Sequence, residues 1–365
     1  MKRVFFLLLS LLILGAGCTV VEKGKERKAM RTITGESCLF QASDKAALLY
    51  KPKKILRVFQ PLTGQVFVEG VDYTWTEGVP EIKRPEGSAL PFLTEAEIHP
   101  DPATAKAYPK VQENPDAIGG PKGLLWFGTG TCCMQKQFEV DYTTEEPQLP
   151  VAISKQLDRL PRFRAKLASK QPLLITVIGD SISEGWNATK HVKSQPFTPC
   201  YVEQFGIGLQ AISGATVTVQ NNAIGGTGIH HPMQIPERWR DIKSDLLVIA
   251  YGMNNYSSLP ADEFIKLLDE VVRTKRAAGT DTDILLVSTM SGNEEYNGPK
   301  HREYGEALRK YVASAPNDVA LADVHLVWQE ILKHKSFLAL TGNGVNHPND
   351  YGHRIYASVL LSLFK

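Results

Sequence analysis

The strongest constraint on the fold is an alternation of apolar strands and helices that begins near residue 172 and continues to residue 364. Apolar runs predict five strands, at residues 173–178, 215–220, 245–251, 283–290 and 319–324. Helices are predicted at residues 199–212, 260–278, 302–313 and 351–364. Because the strands are largely apolar, both faces of their sheet are expected to be covered. The pattern predicts an α/β fold, a flavodoxin-like, doubly wound sheet of five parallel strands.

The residues in front of this sheet follow another pattern. Short β-rich runs at residues 55–59, 65–68 and 138–142 are separated by Pro, Gly and Asp. They predict a β-sandwich or jelly-roll-like accessory domain over residues 33–147, followed by a second domain with the parallel sheet over residues 148–365. Residues 100–123 are expected to form a long loop, and residues 152–169 a helix that Pro161 kinks or splits.

The first 18 residues have the pattern of an export signal. Lys2 and Arg3 precede an apolar run over residues 4–14, which is too short to span a bilayer as a helix. Small residues then lead to Cys18, as in a bacterial lipobox, although Gly15 stands where that motif prefers an aliphatic residue. We predict a lipoprotein signal peptide over residues 1–18, a tether over residues 19–32, and a protein on the outer membrane or cell surface. The alternative is ordinary cleavage with an incidental Cys18, which gives a periplasmic or secreted protein.

Charge and cysteine usage limit the partners. The chain has 41 Lys and Arg against 39 Asp and Glu, so no basic excess is available to neutralise nucleic acid phosphates. Membrane contact is expected only through a lipid on Cys18. The remaining cysteines form one or two disulfides or stay as buried thiols; they are Cys38, Cys132, Cys133 and Cys200. None has a zinc-ligand spacing with His, so we expect no metal.

Polar residues follow the ends of the predicted strands. Asp180 and Ser181 come directly after the first strand, Asn222 to Gly226 after the second, and Asn254 after the third. His347 precedes the last helix. Any one of these would usually be a turn or a helix cap, but parallel strands end at a common edge, where ligands bind. We therefore expect one site at that edge.

In this order, Ser181, Gly226, Asn254 and His347 resemble the four blocks of the SGNH hydrolase superfamily, the GDSL esterases. The resemblance covers residues from about 172 to 365. The β-rich segment is more loosely similar to domains attached to some polysaccharide deacetylases of that superfamily. The resemblance implies that Ser181 is the nucleophile and His347 the general base. It also implies an oxyanion hole made by the backbone N–H groups of Ser181 and Gly226 and the Asn254 amide, without metal or cofactor.

The His block departs from the family pattern, in which an Asp three residues earlier orients the imidazole. Gly344 stands at that place. We expect either a Ser–His dyad helped by Asn343, Asn346 or a backbone carbonyl, or an acid from elsewhere, with Asp323 as a candidate. A second departure, Asn255 where the family often has Asp, should weaken a structural hydrogen bond more than the reaction.

Other polar residues near the blocks are candidates for binding substrate, namely Asp180, Trp186, Asn187 and Asn222. Trp186 could instead only cover the sheet edge. His353 is expected to pack or cap within the last helix, and His191, His230 and His231 to lie in loops.

The resemblance implies an esterase that forms an acyl-enzyme on Ser181. Together with export and the accessory domain, it predicts removal of acetyl groups from an extracellular polysaccharide or oligosaccharide. The alternatives are a lipase, lysophospholipase or thioesterase of the same superfamily, and a catalytically silent glycan-binding surface lipoprotein. The sequence leaves the oligomeric state open.

Overall fold

A computed structural model describes residues 29–255 and 258–364. The predicted signal peptide, Cys18 and residues 19–28 of the predicted tether lie outside the described residues. The β-rich region contains nine strands among the described residues: β1 (Arg31–Cys38), β2 (Lys45–Ala47), β3 (Lys54–Phe59), β4 (Thr74–Trp75), β5 (Glu81–Lys83), β6 (Ala107–Tyr108), β7 (Ala117–Gly120), β8 (Gly123–Trp126) and β9 (Phe138–Thr144). A short helix, α1 (Glu95–Ile98), lies between β5 and β6.

The rest of the chain alternates between strands and helices. Its strands are β10 (Leu173–Gly179), β11 (Val217–Asn221), β12 (Leu246–Ala250), β13 (Asp283–Val287) and β14 (Val319–Ala322). Its helices are α2 (Pro161–Ala168), α3 (Ser181–Glu184), α4 (Tyr201–Ser213), α5 (Ala261–Ala277), α6 (Glu294–Asn297), α7 (His301–Ser314), α8 (Val324–Leu332) and α9 (Asp350–Ser362).

The five strands from β10 to β14 form one parallel sheet in the order β11-β10-β12-β13-β14. This is the flavodoxin-like order, so the predicted fold is confirmed. Successive strand residues point to opposite faces. In β12, Leu246 and Val248 join a core with α4, α8 and α9, whereas Leu247 and Ile249 join a separate core with α5 and α7. Both faces of the sheet are therefore covered.

Several element boundaries differ from the sequence predictions. Pro161 begins α2 instead of kinking a longer helix, because its fixed φ suits the first helical position. Helix α8 was not predicted, since its sequence VHLVWQEIL is apolar enough to extend the preceding strand pattern. In the β-rich region, residues 65–68 form only an isolated bridge between Val66 and Phe59, and residues 100–123 contain two short strands.

The prediction of a β-rich region before the sheet is confirmed. Its strands form three small sheets of three strands each, in the orders β1-β9-β3, β2-β5-β4 and β6-β7-β8. The first strand begins at Arg31, within the segment predicted as a tether. In the described part of the chain, no helix is long and apolar enough to cross a membrane.

The β-rich region and the parallel sheet share one hydrophobic core. Phe138, Val140 and Tyr142 of β9 belong to the same cluster of buried side chains as Ile355 and Val359 of α9. The residues before and after position 147 therefore pack as neighbours in the same interior.

A buried ion pair also joins the two parts. Lys335, which follows α8, lies 2.6 Å from Glu36 of β1, and both side chains are almost completely buried. The other Glu36 oxygen accepts a hydrogen bond of 2.5 Å from Tyr142, and Lys335 donates to the carbonyl of Ala47. The charges are thus paired and hydrogen-bonded, as buried charges must be.

The four cysteines among the described residues are free thiols, so the disulfide alternative is not realised in this structure. Cys38, Cys133 and Cys200 are buried, and Cys132 is partly exposed. Burial raises the pKa of Cys38 to about 12, despite the neighbouring Lys335.

Candidate active site

Ser181 is the first residue of α3, directly beyond the carboxyl end of the sheet's β10 strand. The preceding residue, Asp180, is the helix N-cap, and its carboxylate accepts a hydrogen bond of 3.0 Å from the Ile182 N–H. A sharp turn between a buried strand and a helix therefore holds the Ser181 side chain at the sheet edge, where only 4% of the residue is exposed.

The imidazole of His347 reaches this hydroxyl from the loop before α9. Its Nε2 lies 2.9 Å from the Oγ of Ser181. The loop is closed by hydrogen bonds from the Gly342 N–H and the Thr341 hydroxyl to the carbonyl of His347. The two residues predicted as nucleophile and base are thus brought together, at a distance that allows proton transfer.

The other ring nitrogen of His347 faces Asn187. Its Nδ1 lies 2.8 Å from the Oδ1 of Asn187, whereas the Asn187 amide nitrogen donates to the carbonyls of Gly130 and Gly342, at 2.8 and 3.1 Å. These two acceptors identify the atom facing the ring as the amide oxygen. Nδ1 of the neutral ring therefore carries the proton, and Nε2 can accept the proton of Ser181.

Asn343 also approaches the ring, but with its nitrogen. Its Oδ1 accepts hydrogen bonds from the backbone N–H groups of Val345, Asn346 and His347, so it cannot turn toward Nδ1. Its Nδ2 lies 3.2 Å from Nδ1 of His347 and donates to the Oδ1 of Asn346 at 2.9 Å. Asn343 therefore shapes the turn that carries His347, and Asn346 supports Asn343.

The surroundings favour a neutral His347. Burial lowers its pKa to about 3, and the neighbouring His353 and His191 act in the same direction. Asn187 accepts a hydrogen bond without supplying the full negative charge that would raise the pKa again. His347 is therefore in the form that accepts a proton over the whole neutral range.

The loop after β11 lies beside the nucleophile. Glu184 accepts hydrogen bonds from the Gly225 N–H, at 2.5 Å, and from the Trp186 indole, at 3.1 Å. The next residue, Gly226, is exposed and has a φ of +75°, which favours glycine. Asn254, half-buried after β12, donates one amide N–H to the carbonyl of Thr227 at 2.9 Å and has a second N–H donor. Since β10 lies between β11 and β12, the loops of Gly226 and Asn254 flank Ser181.

This geometry agrees with a family assignment. Residues 177–355 match the model of the GDSL-like lipase/acylhydrolase family. They form a GDSL-like acylhydrolase domain. The resemblance to the SGNH hydrolases and the class of carboxylic ester hydrolase are confirmed at the level of this domain. No curated protein matches the sequence significantly.

Solved structures similar to the chain include two esterases and an α/β hydrolase. One is a two-domain esterase active on acetylated mannans, at 22% identity and a TM-score of 0.45, where the match covers 57% of this chain and 52% of that one. Another is an acetylxylan esterase from Geobacillus stearothermophilus, at 22% identity and a TM-score of 0.42, covering 52% and 92%. A third is an α/β hydrolase from the metagenome of Lake Arreo, Spain, at 20% identity and a TM-score of 0.42. That match covers 52% of this chain and 96% of the hydrolase. The chain thus matches about half the length of the two-domain esterase.

Two residues predicted to bind substrate have hydrogen-bond partners within the protein. Asp180, predicted to bind substrate, is 2% exposed and accepts backbone hydrogen bonds from Ile182 and Met253, and burial raises its pKa to about 7. Asn222 donates to the carbonyl of Arg238 at 2.6 Å. The Asp180 carboxylate is therefore bound by backbone N–H groups, and the Asn222 amide nitrogen by a backbone carbonyl.

Asp323, predicted as an acid for His347, is the N-cap of α8. Its carboxylate is bound by Arg309 and Ser288, each at 3.0 Å, so these partners and its own helix hold it. The acceptor for His347 is instead Asn187, which had been predicted to contact substrate. The short spacing between Ser181 and Asn187 does indicate that the two residues lie close together. The sequence does not indicate the φ of +63° that Asn187 adopts.

Other candidates keep their expected places. Trp186 is 46% exposed, and its ring centroid lies 5.7 Å from that of His347, so it borders the site. His353 is buried in α9 beside Tyr201, as expected of a packing residue. Asn255 accepts a hydrogen bond from the Ile229 N–H, which is the structural role expected for it.

Within residues 29–255 and 258–364, no group of three His, Cys, Asp or Glu side chains could hold a metal ion.

Proposed function

We propose that the protein is a serine esterase that hydrolyses acetyl esters on an extracellular polysaccharide or oligosaccharide. The observation that carries the proposal is the contact of 2.9 Å between Ser181 and His347, with the far side of the ring bound by Asn187 at 2.8 Å. A hydroxyl, a neutral imidazole and an oriented acceptor in line are the parts that acyl transfer requires.

In the proposed reaction, the Oγ of Ser181 attacks the ester carbonyl while Nε2 of His347 takes the hydroxyl proton. The resulting oxyanion is stabilised by the backbone N–H groups of Ser181 and Gly226 and by the second amide N–H of Asn254. The protonated imidazole then gives its proton to the leaving sugar oxygen, and an acetyl-enzyme remains. A water molecule, deprotonated by His347, releases acetate and restores the Ser181 hydroxyl.

The half-exposed Trp186 supports a saccharide as the group that carries the ester. Its indole N–H is bound by Glu184, so the ring is held in place beside His347 with one part open to solvent. An aromatic ring fixed at the rim of a site can stack on the apolar face of a sugar. The two similar esterases that act on acetylated mannans and xylan support the same substrate class.

We also propose that the protein is exported and anchored through Cys18. The basic residues Lys2 and Arg3, the apolar run and the small residues before Cys18 support this location. A polymeric substrate outside the cell would then lie on the same side of the membrane as the enzyme.

The decisive experiment measures acetate released from acetylated xylan and acetylated mannan by the purified protein, with Ser181→Ala as the control. Release by the wild type and not by Ser181→Ala supports the proposal. Faster hydrolysis of long-chain than of short-chain nitrophenyl esters would favour a lipase instead. Wild-type protein that binds polysaccharide but is not labelled by a fluorophosphonate would indicate a silent binding protein.

A further inference from the structure

We propose that the β-rich region completes the catalytic machinery: the carbonyl of Gly130 positions Asn187, and through it the proton of His347. The inference rests on the proposed esterase function and assigns to the β-rich region a role inside the active site. Gly130 lies 57 residues before Asn187, in the loop between β8 and β9.

The first argument is the geometry of the Asn187 amide. A carboxamide can rotate by 180° with little change in shape, and only its hydrogen-bond partners decide which atom faces the ring. Gly130 supplies the shorter of the two contacts to the Asn187 nitrogen, 2.8 Å against 3.1 Å for Gly342. If the amide rotated, its N–H would face Nδ1 of His347, and Nδ1 would have to act as the acceptor. The neutral ring would then carry its proton on Nε2, which could no longer accept the Ser181 proton.

The second argument is that the same loop contacts the turn that carries His347. The Gly128 N–H donates to the carbonyl of Asn343 at 3.3 Å. A Cβ at Gly344 would lie 2.3 Å from the carbonyl oxygen of Trp126, so the two backbones pack directly on each other. Residues 126–130 therefore contact both partners of the imidazole, the Asn187 side chain and the Asn343 turn.

The third argument is a buried polar network beneath the loop. Gln137 donates to the carbonyls of Leu338 and Thr341, at 2.8 and 2.7 Å, and accepts from Asn349 at 2.9 Å. Asn349 also donates to the hydroxyl of Ser37 in β1. Both ends of the His347 loop are thus fixed by side chains or backbone of the β-rich region, which makes a purely peripheral role for that region inconsistent with the contacts.

Gly130 offers a clean perturbation. Its φ is +60°, and a Cβ at this position would meet no atom within 4 Å. Valine there changes the backbone conformation without a clash, because a β-branched residue disfavours positive φ, whereas asparagine tolerates it. Gly70, at a φ of +81° with the same open surroundings, lies in the β-rich region away from the contacts described above and serves as the matched control.

The experiment compares Gly130→Val, Gly130→Asn and Gly70→Val for hydrolysis of nitrophenyl acetate. For Gly130→Val we expect kcat to fall about 10-fold or more with KM changed less than about 3-fold, since a small displacement of a catalytic group is costly. Gly70→Val should keep wild-type kcat, and Gly130→Asn should lose much less kcat than Gly130→Val because asparagine tolerates the positive φ. Melting temperatures identify any variant that fails to fold. Wild-type kcat in a Gly130→Val protein would overturn the inference.

A double-mutant cycle distinguishes positioning from general destabilisation. In the Asn187→Ala background, Gly130→Val should cost almost nothing further in kcat, because its effect passes through Asn187. Equal losses in both backgrounds would contradict the inference and leave the esterase function intact.

If the wild type hydrolyses no ester, the proposed function fails, and the inference is judged by the NMR signal of the His347 Nδ1 proton, assigned with His347→Gln. That signal should persist in Gly130→Asn and weaken in Gly130→Val. An unchanged signal in Gly130→Val would refute the inference.

Discussion

The amide oxygen of Asn187 and Nδ1 of His347 lie 2.8 Å apart, on the side of the ring opposite the Ser181 hydroxyl. This contact supplies the acceptor that the sequence lacks at Gly344. Because Asn187 is six residues after the nucleophile, one short turn provides both the group that gives up a proton and the group that orients the base.

Replacement of Asn187 by alanine should lower kcat by roughly 10²-fold, because the ring loses the acceptor that fixes its tautomer and orientation. Asn346→Ala should lose far less, since Asn346 contacts the ring only through Asn343. Initial rates with nitrophenyl acetate compare the two variants. Asn114→Ala is the control for placing alanine at a positive φ, because Asn114 also has a positive φ. Equal activity of Asn187→Ala and wild type would contradict the assignment.

Activity should persist at acidic pH. The pKa of His347 is lowered to about 3, so the base stays neutral and competent well below the ordinary histidine range. We expect kcat/KM to be nearly constant between about pH 7 and pH 5 and to fall only as the pH approaches the lowered pKa. Circular dichroism at each pH separates this loss from acid unfolding. An acidic limb centred near the ordinary histidine pKa would contradict the prediction.

Asn254 and its neighbour should have separable roles. Asn254→Ala removes an amide donor next to the nucleophile and should lower kcat by about 10²–10³-fold with little effect on melting temperature. Asn255→Ala removes the acceptor of the Ile229 N–H and should lower the melting temperature more than it lowers kcat. The reverse ranking would mean that the oxyanion contacts are assigned to the wrong residue.

Trp186→Ala should weaken binding of a sugar-borne ester. We expect KM for acetylated xylo-oligosaccharides to rise roughly 3- to 10-fold through loss of aromatic stacking, while kcat/KM for nitrophenyl acetate stays close to the wild-type value. Steady-state kinetics on both substrates provide the test. A similar loss on both would show that Trp186 acts on His347 and not on the saccharide.

The buried ion pair predicts a stability effect. Lys335→Met leaves Glu36 buried without its charge partner and should lower the free energy of unfolding by about 3–5 kcal/mol. Lys333→Met removes an exposed pair with Glu330 and should change it by less than about 1 kcal/mol. Urea titrations of both variants give the comparison. Similar values would mean that the buried pair contributes no more than an exposed one.

The parts of the protein that the sequence could predict depend on local pattern. Four strands of the parallel sheet are largely apolar, whereas β11 alternates between apolar and polar residues. The blocks of Ser181, Gly226 and Asn254 each follow a strand, so their common edge could be predicted from topology. His347 follows α8 instead, and its position at that edge could not be predicted in this way. Helix α8 was missed because it is apolar on most of its surface and begins two residues after β14. Its buried residues Val324, Val327, Trp328 and Ile331 do have helical spacing, but the helix is only nine residues long.

The orienting residue depends on contacts that no local pattern contains. Asn187 faces His347 because its backbone has a positive φ and because carbonyls at positions 130 and 342 bind its nitrogen. These partners come from distant parts of the chain. Asp323 was a reasonable candidate by charge, but Arg309 and its position as a helix cap hold it elsewhere.

The continuous interior shared by β9 and α9 has a consequence for how such a protein can be altered. A cut near residue 147 would strip apolar side chains of their cover on both fragments and divide Glu36 from Lys335. If the β-rich region were replaced by that of a similar protein, its side chains would no longer fit those of α9 in the shared core. A chimeric protein should therefore fold stably only when the residues before and after position 147 come from the same protein.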